Sequence, residues 1–323
     1  MNFSDQFQNL LQFACFHYEA RFGEPQVRAV PQNYQPQILP PAGGNDLLRH
    51  AILAGKPYCA ARLGSTELAI IDFCDRYRLQ HDSDRSKLSQ WLSFQSLKYR
   101  GWRGSGIFPP RGWVTDRFAR EFLAALPAVD QLAVWYNHHE DRIVNKYCSR
   151  ATLCELPDLE PYYHPNPWSG ALAGKRVLVV HPFAETIKSQ YEQHRARLFQ
   201  DPLVLPEFEL TTLQAVQSLL ATPAGHQNWF EALAAMQQQI SRIQFDCAII
   251  GAGAYGLPLA VYVKSLGRCA VHVAGATQIL FGIKGKRWET HPVISKLFNE
   301  FWTRPSASET PGKAGRVESG CYW

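Results

Sequence analysis

The spacing of apolar positions changes repeatedly along the chain, and the changes divide it into strands and helices. Arg176-Val-Leu-Val-Val180 is a continuous apolar run, the pattern of a strand buried on both faces of a parallel sheet. Tyr58–Leu63, Gln131–Tyr136, Phe245–Ile250 and Cys269–Val273 are short apolar runs of the same kind, and Pro206–Thr212 reads as a shorter strand. Between them the period becomes helical. Residues 3–21 place Phe7, Leu10, Leu11, Ala14 and Tyr18 at amphipathic spacing. Further helices are predicted over 46–53, from Ser65 or Thr66 to Cys74, from Thr115 or Asp116 to Leu126, from Glu185, over 228–243 and over 255–266. Strand–helix alternation predicts an α/β fold: a Rossmann-like, doubly wound, mostly parallel sheet with helices on both faces.

The same pattern sets the organisation. Pro25, Pro31, Pro36, Pro40 and Pro41, followed by Gly43-Gly44, read as an extended connector, so residues 1–45 form an N-terminal helix and its linker. Residues 46–300 are expected to be the α/β domain, with an internal boundary near 155–175, where Pro161-Tyr-Tyr-His-Pro-Asn-Pro-Trp-Ser169 precludes a regular element. Residues 301–323 read as a tail of little periodicity. The stretch 77–113, with Lys98-Tyr-Arg-Gly-Trp-Arg-Gly104, is expected to be a basic, aromatic loop.

Composition narrows the class. Of 323 residues, 46% are hydrophobic and 19% charged, enough for a sizeable core. No apolar run reaches the roughly 18 residues of a membrane span, and the first residues lack the basic start and apolar core of a signal peptide. The eight cysteines form no CxxC pair, which points to a reducing cytoplasm rather than a zinc site or a disulfide framework. Adjacent His138 and His139 do not suggest a metal site. A net charge of +5 suits a phosphate-bearing substrate, or peripheral contact with the inner membrane through the basic stretch Arg100 to Arg111. It is not concentrated enough to predict nucleic-acid binding.

Three strand ends carry candidate chemistry. After strand 245–250, Gly251-Ala-Gly253-Ala-Tyr255-Gly256 opens a helix, a geometry that leaves backbone N–H groups free for a phosphate. After Arg176–Val180 come His181, a candidate general base, and Thr186 with helix-start amides, a second anion seat. After Tyr58–Leu63 come Gly64, Ser65 and Glu67, with Arg62 at the strand's end placed to hold a phosphate. The spacing Gly251-x-Gly253-x-x-Gly256 also fits a dinucleotide fingerprint. That fingerprint requires an acidic residue at the end of the next strand, and Val271-His-Val-Ala-Gly275 supplies none.

Arg62-Leu-Gly-Ser-Thr-Glu67 resembles the Arg-x-Gly-Asp-Gly-Glu segment of the GT-D type bacterial glycosyltransferases. Val179-Val-His-Pro-Phe-Ala-Glu-Thr186, Asp246 to Gly256, Ala274-Gly275-Ala276 and Phe281-Gly-Ile-Lys-Gly-Lys-Arg-Trp288 are also similar to that group and to related proteins of surface-polysaccharide loci. The resemblance covers roughly residues 55–290. It implies transfer of a sugar from a UDP- or GDP-linked donor to a glycan or lipid-linked acceptor, in O-antigen or capsule assembly. It implies Glu67 as base or acceptor-orienting group, and His181, lining the cleft, is the other catalytic candidate. Arg62, Gly64, Ser65, Thr186, Gly251, Gly253, Tyr255, Gly256, Gly275, Lys284, Lys286 and Arg287 are then the donor-binding residues. The family's Asp-x-Glu pair is associated with a divalent cation, Mn or Mg, but the Asp falls on Ser65 here, a poor ligand for a hard cation. The alternatives are an NAD(P)-dependent oxidoreductase and a non-catalytic nucleotide- or glycan-binding protein.

Overall fold

The computed structural model of the chain describes residues 3–22, 26–79, 87–219, 225–312, 314–316 and 320–323. Seven strands form one sheet: β1 (Tyr58–Arg62), β2 (Gln131–Val134), β3 (Thr152–Glu155), β4 (Arg176–His181), β5 (Glu209–Gln214), β6 (Cys247–Ile250) and β7 (Cys269–His272). They lie in the order β3-β2-β1-β7-β6-β4-β5, and every pairing is parallel.

Side chains alternate across the sheet into two cores, as the period of a strand requires. Cys59, Ala61, Leu132, Val134, Leu178, Val180, Ala248 and Ile250 face one core. Ala60, Ala133, Val177, Val179, Cys247, Ile249, Cys269 and Val271 face the other. Helices α3 (Ser65–Tyr77), α4 (Leu88–Gly104), α5 (Gly112–Ala125), α8 (Trp229–Ser241) and α9 (Gly256–Ser265) close the first. Helices α2 (Gly43–Ala54), α7 (Ala184–Leu198) and α10 (Ala276–Leu280) help close the second. The doubly wound Rossmann-like fold expected from the pattern is the fold observed.

Three elements depart from the expectation. Of the stretch 77–113, residues 80–86 lie outside the described residues, and Lys98–Gly104 are the last turns of α4 rather than a loop. Gly101 lies inside that helix because α4 crosses α3 closely, and a Cβ at Gly101 would be 2.9 Å from Ile70 Cδ1. Helix α1 (Phe3–Phe22) packs on α4, with Phe13 and Phe16 against the Tyr99 ring at 5.7 and 5.5 Å. Second, the residues after β2 form a helix, α6 (Glu140–Tyr147). Its first residue is fully buried and fastens the preceding loop: Glu140 Oε2 accepts from the Trp135 and Asn137 N–H groups (both 3.1 Å) and from the Tyr34 hydroxyl (3.0 Å). Third, β3 is an unexpected edge strand. The proline-rich connector covers its edge, where the Leu39 N–H donates to the Leu153 carbonyl at 2.8 Å. Residues 155–175 join β3 to β4 within the one sheet.

Among the described residues no helix is long and apolar enough to cross a membrane.

Gly256 packs where α9 crosses β7, and a Cβ there would fall inside the buried His272 ring. Gly256→Ala is therefore expected to cost about 1–3 kcal/mol through overpacking. Urea unfolding measures this, and an unchanged midpoint would contradict the close helix–strand approach.

Candidate functional site

In a parallel sheet every carboxyl end opens on the same edge, and a crevice forms where helices leave neighbouring strands toward opposite faces. That happens between β4 and β6. Helix α7 follows β4 and buries Ile187, Tyr191 and Leu198 in one core; α9 follows β6 and buries Leu257, Leu259 and Val263 in the other. A mainly apolar cleft opens there. It is lined by His181 at the end of β4 and Phe183 after it, Val216–Leu219 after β5, Gly251–Gly253 and Tyr255 after β6, and Ala274, Gly275 and Gln278 after β7. Gly104–Gly106 close one side; Tyr322 and Trp323 close another.

The glycine stretch contributes backbone. Gly251 is in tight quarters: a Cβ would lie 2.5–2.6 Å from His181 Cδ2, the Ala274 carbonyl and Thr277 Oγ1. Gly253 has open space instead, and it adopts φ +53°, which glycine tolerates best. The N–H groups of Ala252, Gly253 and Ala254 have no hydrogen-bond partner among the described residues. They are donors at the cleft wall and can take an anion. Tyr255 is almost fully buried, stacked on Trp229 at 5.0 Å, with its hydroxyl 3.2 Å from Ser218 Oγ. Gly256 serves helix packing rather than the cleft.

His181 is not built as a base. Its Nδ1 accepts from the Phe183 N–H at 3.0 Å, so the proton of the neutral ring sits on Nε2. Burial lowers its pKa to about 3. At neutral pH it is therefore a neutral hydrogen-bond donor. His272, one strand over, is also buried; its Nδ1–H donates to the Ile250 carbonyl at 3.1 Å. Burial, then the neighbouring Arg62 charge, lower its pKa to about 4.

A second crevice lies between β1 and β7, where α3 and α10 leave toward opposite faces. Arg62 ends β1 there. Its guanidinium lies 4.2 Å above the Trp135 ring and makes one long hydrogen bond, from Nη2 to the Leu63 carbonyl at 3.3 Å. Nε is buried without a partner, and no carboxylate among the described residues pairs with Arg62. Burial lowers its pKa, against the opposing fields of Tyr322, Glu67 and Glu160. Glu67 sits in the first turn of α3, 8% exposed, and folds its carboxylate back over Gly64, where a Cβ would collide with it. It too has no hydrogen-bond or ion-pair partner among the described residues. Ser65 is exposed at the start of that turn. Glu67 is the one carboxylate of the turn and lies in the field of a guanidinium, a donor set that does not fit a hard divalent cation. Among the described residues no group of three or more His, Cys, Asp or Glu side chains could hold a metal.

The expected seat at Thr186 is already filled. Glu309 places its carboxylate on the N-terminus of α7: Oε1 accepts from the Glu185 N–H at 2.7 Å, and Oε2 from the Thr186 hydroxyl and from Ser306 Oγ at 2.9 Å. A buried anion from the tail satisfies the helix dipole that the sequence offered to a phosphate. The basic run 282–288 does not act as a block. Lys284 is half-buried with Nζ 5.6 Å from the Phe298 ring centre, and Lys286 is exposed. Only Arg287 of the three basic residues touches the cleft wall, its Nη1 donating to the Tyr322 hydroxyl at 3.3 Å.

Sequence reasoning missed Tyr322, Trp323 and Glu309 in the tail, Ser218 in the loop after β5 and Gln278 in α10. It also missed Glu160, whose carboxylate accepts from the Tyr162 hydroxyl at 2.6 Å and whose pKa burial raises. The one available signal was the aromatic pair in Gly320-Cys-Tyr-Trp323.

No family model matches this chain, and neither a curated protein nor a solved structure matches it.

The two depressed histidines set a pH dependence. In the unfolded chain both take up a proton near 6.5; in the folded chain they resist until about 3 and 4. The unfolded state therefore binds more protons below pH 6.5, and stability falls as pH drops, by about 1.4 kcal/mol per pH unit for each histidine. Urea unfolding between pH 6 and 4.5 is expected to show that slope, and His181→Gln is expected to remove roughly half of the histidine share. An unchanged slope in the variant would show that His181 is not held neutral.

Proposed function

We propose that this protein is a glycosyltransferase that moves a sugar from a nucleoside-diphosphate donor to a glycan or lipid-linked acceptor of bacterial surface-polysaccharide assembly. The observation that carries this reading is Arg62: a largely buried guanidinium with one long hydrogen bond and no ion-pair partner among the described residues. Holding an unpaired charge out of water costs several kcal/mol, which an anionic ligand recovers. The free amides of Ala252–Ala254 offer a second anion contact along the same sheet edge. Two such contacts suit a diphosphate.

In the reaction, an acceptor hydroxyl attacks the anomeric carbon as the bond from that carbon to the diphosphate oxygen breaks. The electron pair leaves with the nucleoside diphosphate, where Arg62 and the amides stabilise it. Glu67, unpartnered and beside Arg62, takes the acceptor's proton or orients the hydroxyl. His181 donates from Nε2. A dinucleotide cofactor is the weaker reading, because β7 ends without an acidic residue for the ribose.

Calorimetric titration with UDP, GDP and NAD tests the reading. Arg62→Ala is expected to weaken nucleoside-diphosphate binding by about 1.5–3 kcal/mol, roughly ten- to hundredfold. Arg62→Met is expected to lose the ligand without losing stability, since it removes an uncompensated charge from the fold. Glu67→Gln is expected to abolish transfer and leave nucleotide affinity nearly unchanged. Binding of NAD but of neither nucleoside diphosphate would replace the transferase with an oxidoreductase, and near-normal turnover in Glu67→Gln would remove Glu67 from the chemistry.

A further inference from the structure

Two aromatic residues of the tail close the cleft, and their setting is that of a binding wall. Tyr322 is fixed on several sides. Its ring lies over Gly275, where any Cβ would come within 2.6 Å of Cε1. Its carbonyl accepts from Gln278 Nε2 at 3.1 Å, and the Arg287 guanidinium sits 4.7 Å from its ring centre. The neighbouring Cys321 carbonyl accepts from the Arg287 N–H at 3.1 Å. Trp323 is held by its indole N–H, which donates to the Glu309 carbonyl at 3.4 Å.

Both rings are only partly buried, and both line the cleft. Trp323 meets Tyr322 at 6.0 Å and 89°, and Phe183 at 6.2 Å and 68°. Both contacts are edge-type. Among the described residues no ring or cation lies flat on Trp323. Phe183, Tyr255 and the backbone of Gly251–Gly253 line the same cleft. An anchored indole without a stacking partner, in a mostly apolar cleft that has free amides at one wall, suits a planar ring joined to a phosphate.

We infer that Tyr322 and Trp323 form the ring-binding wall of the cleft, with Trp323 stacking on the base of a nucleoside diphosphate whose phosphates lie toward Gly253 and Arg62. The inference rests on the nucleotide-sugar reading and adds to it a site made by the tail. The Glu309 carboxylate adds direction. It occupies the α7 N-terminus and repels a phosphate from that side, which leaves the β6 and β1 ends for the diphosphate.

The test is titration of UDP, GDP and inorganic pyrophosphate into the full chain and into Trp323→Leu, Trp323→Phe and Tyr322→Leu, with unfolding midpoints taken alongside. Trp323→Leu is expected to weaken UDP and GDP about tenfold and to leave pyrophosphate within twofold, because base stacking is lost and the anion contacts remain. Trp323→Phe keeps a flat ring and is expected to restore most of the affinity. Equal losses for nucleotides and pyrophosphate, or no loss at all in a folded Trp323→Leu, would overturn the ring wall and leave the nucleotide-sugar reading standing. A wild-type chain that binds pyrophosphate but binds UDP and GDP no better would overturn both.

Discussion

All seven strands run the same way, and the rest of the molecule depends on that. A parallel pair cannot be closed by a tight turn, so the chain returns outside the sheet after each strand, mostly through helices. The returning helices cover both faces, which is why the strands carry apolar residues on both sides. The same constraint gathers every loop that follows a strand onto one edge. Arg62, His181, Gly251 and Gly275, up to 213 positions apart in sequence, become neighbours along that edge because each follows or ends a strand. Where two flanking helices leave toward opposite faces, the edge opens: between β4 and β6, between β6 and β7, and between β7 and β1.

Much of this was legible in the sequence. The central strands announce themselves as short β-branched or apolar runs, because two-sided burial leaves little room for polar residues. What was hidden follows from tertiary packing. Glycines at 101 and 104 made the last turns of α4 look like a loop, yet Gly101 is small because Ile70 of the neighbouring helix presses on it. Strand β3 is four residues long at a sheet edge, and its partner on the outer side comes from a proline-rich connector that no periodicity links to it. Helix α6 begins after two residues of positive φ, Tyr136 and His139, held in place by a buried Glu140 whose partners are scattered from Tyr34 to Asn137.

The candidate site was legible at its strand ends and illegible where charge is balanced over distance. Two helix starts offered an anion seat. At α7 the chain fills the seat itself with Glu309, and nothing within 100 residues of Thr186 foretells that. At β1 the opposite holds: Arg62, expected from its place at the strand's end to hold a phosphate, lies on a tryptophan face with no ion-pair partner among the described residues. Likewise His181 stands at a strand's end, as a base would, but a backbone N–H occupies the nitrogen that a base needs.

The position of Tyr322 and Trp323 has a consequence for how the molecule comes into being. The sheet is complete in residues that precede them: β7 ends at His272. A chain emerging from the ribosome can therefore assemble its scaffold well before it owns a finished cleft. During that interval the apolar floor at Phe183 and Tyr255 lacks its cover. The cleft is closed on that side only once residues 320–323 lie against Gly275 and Gln278.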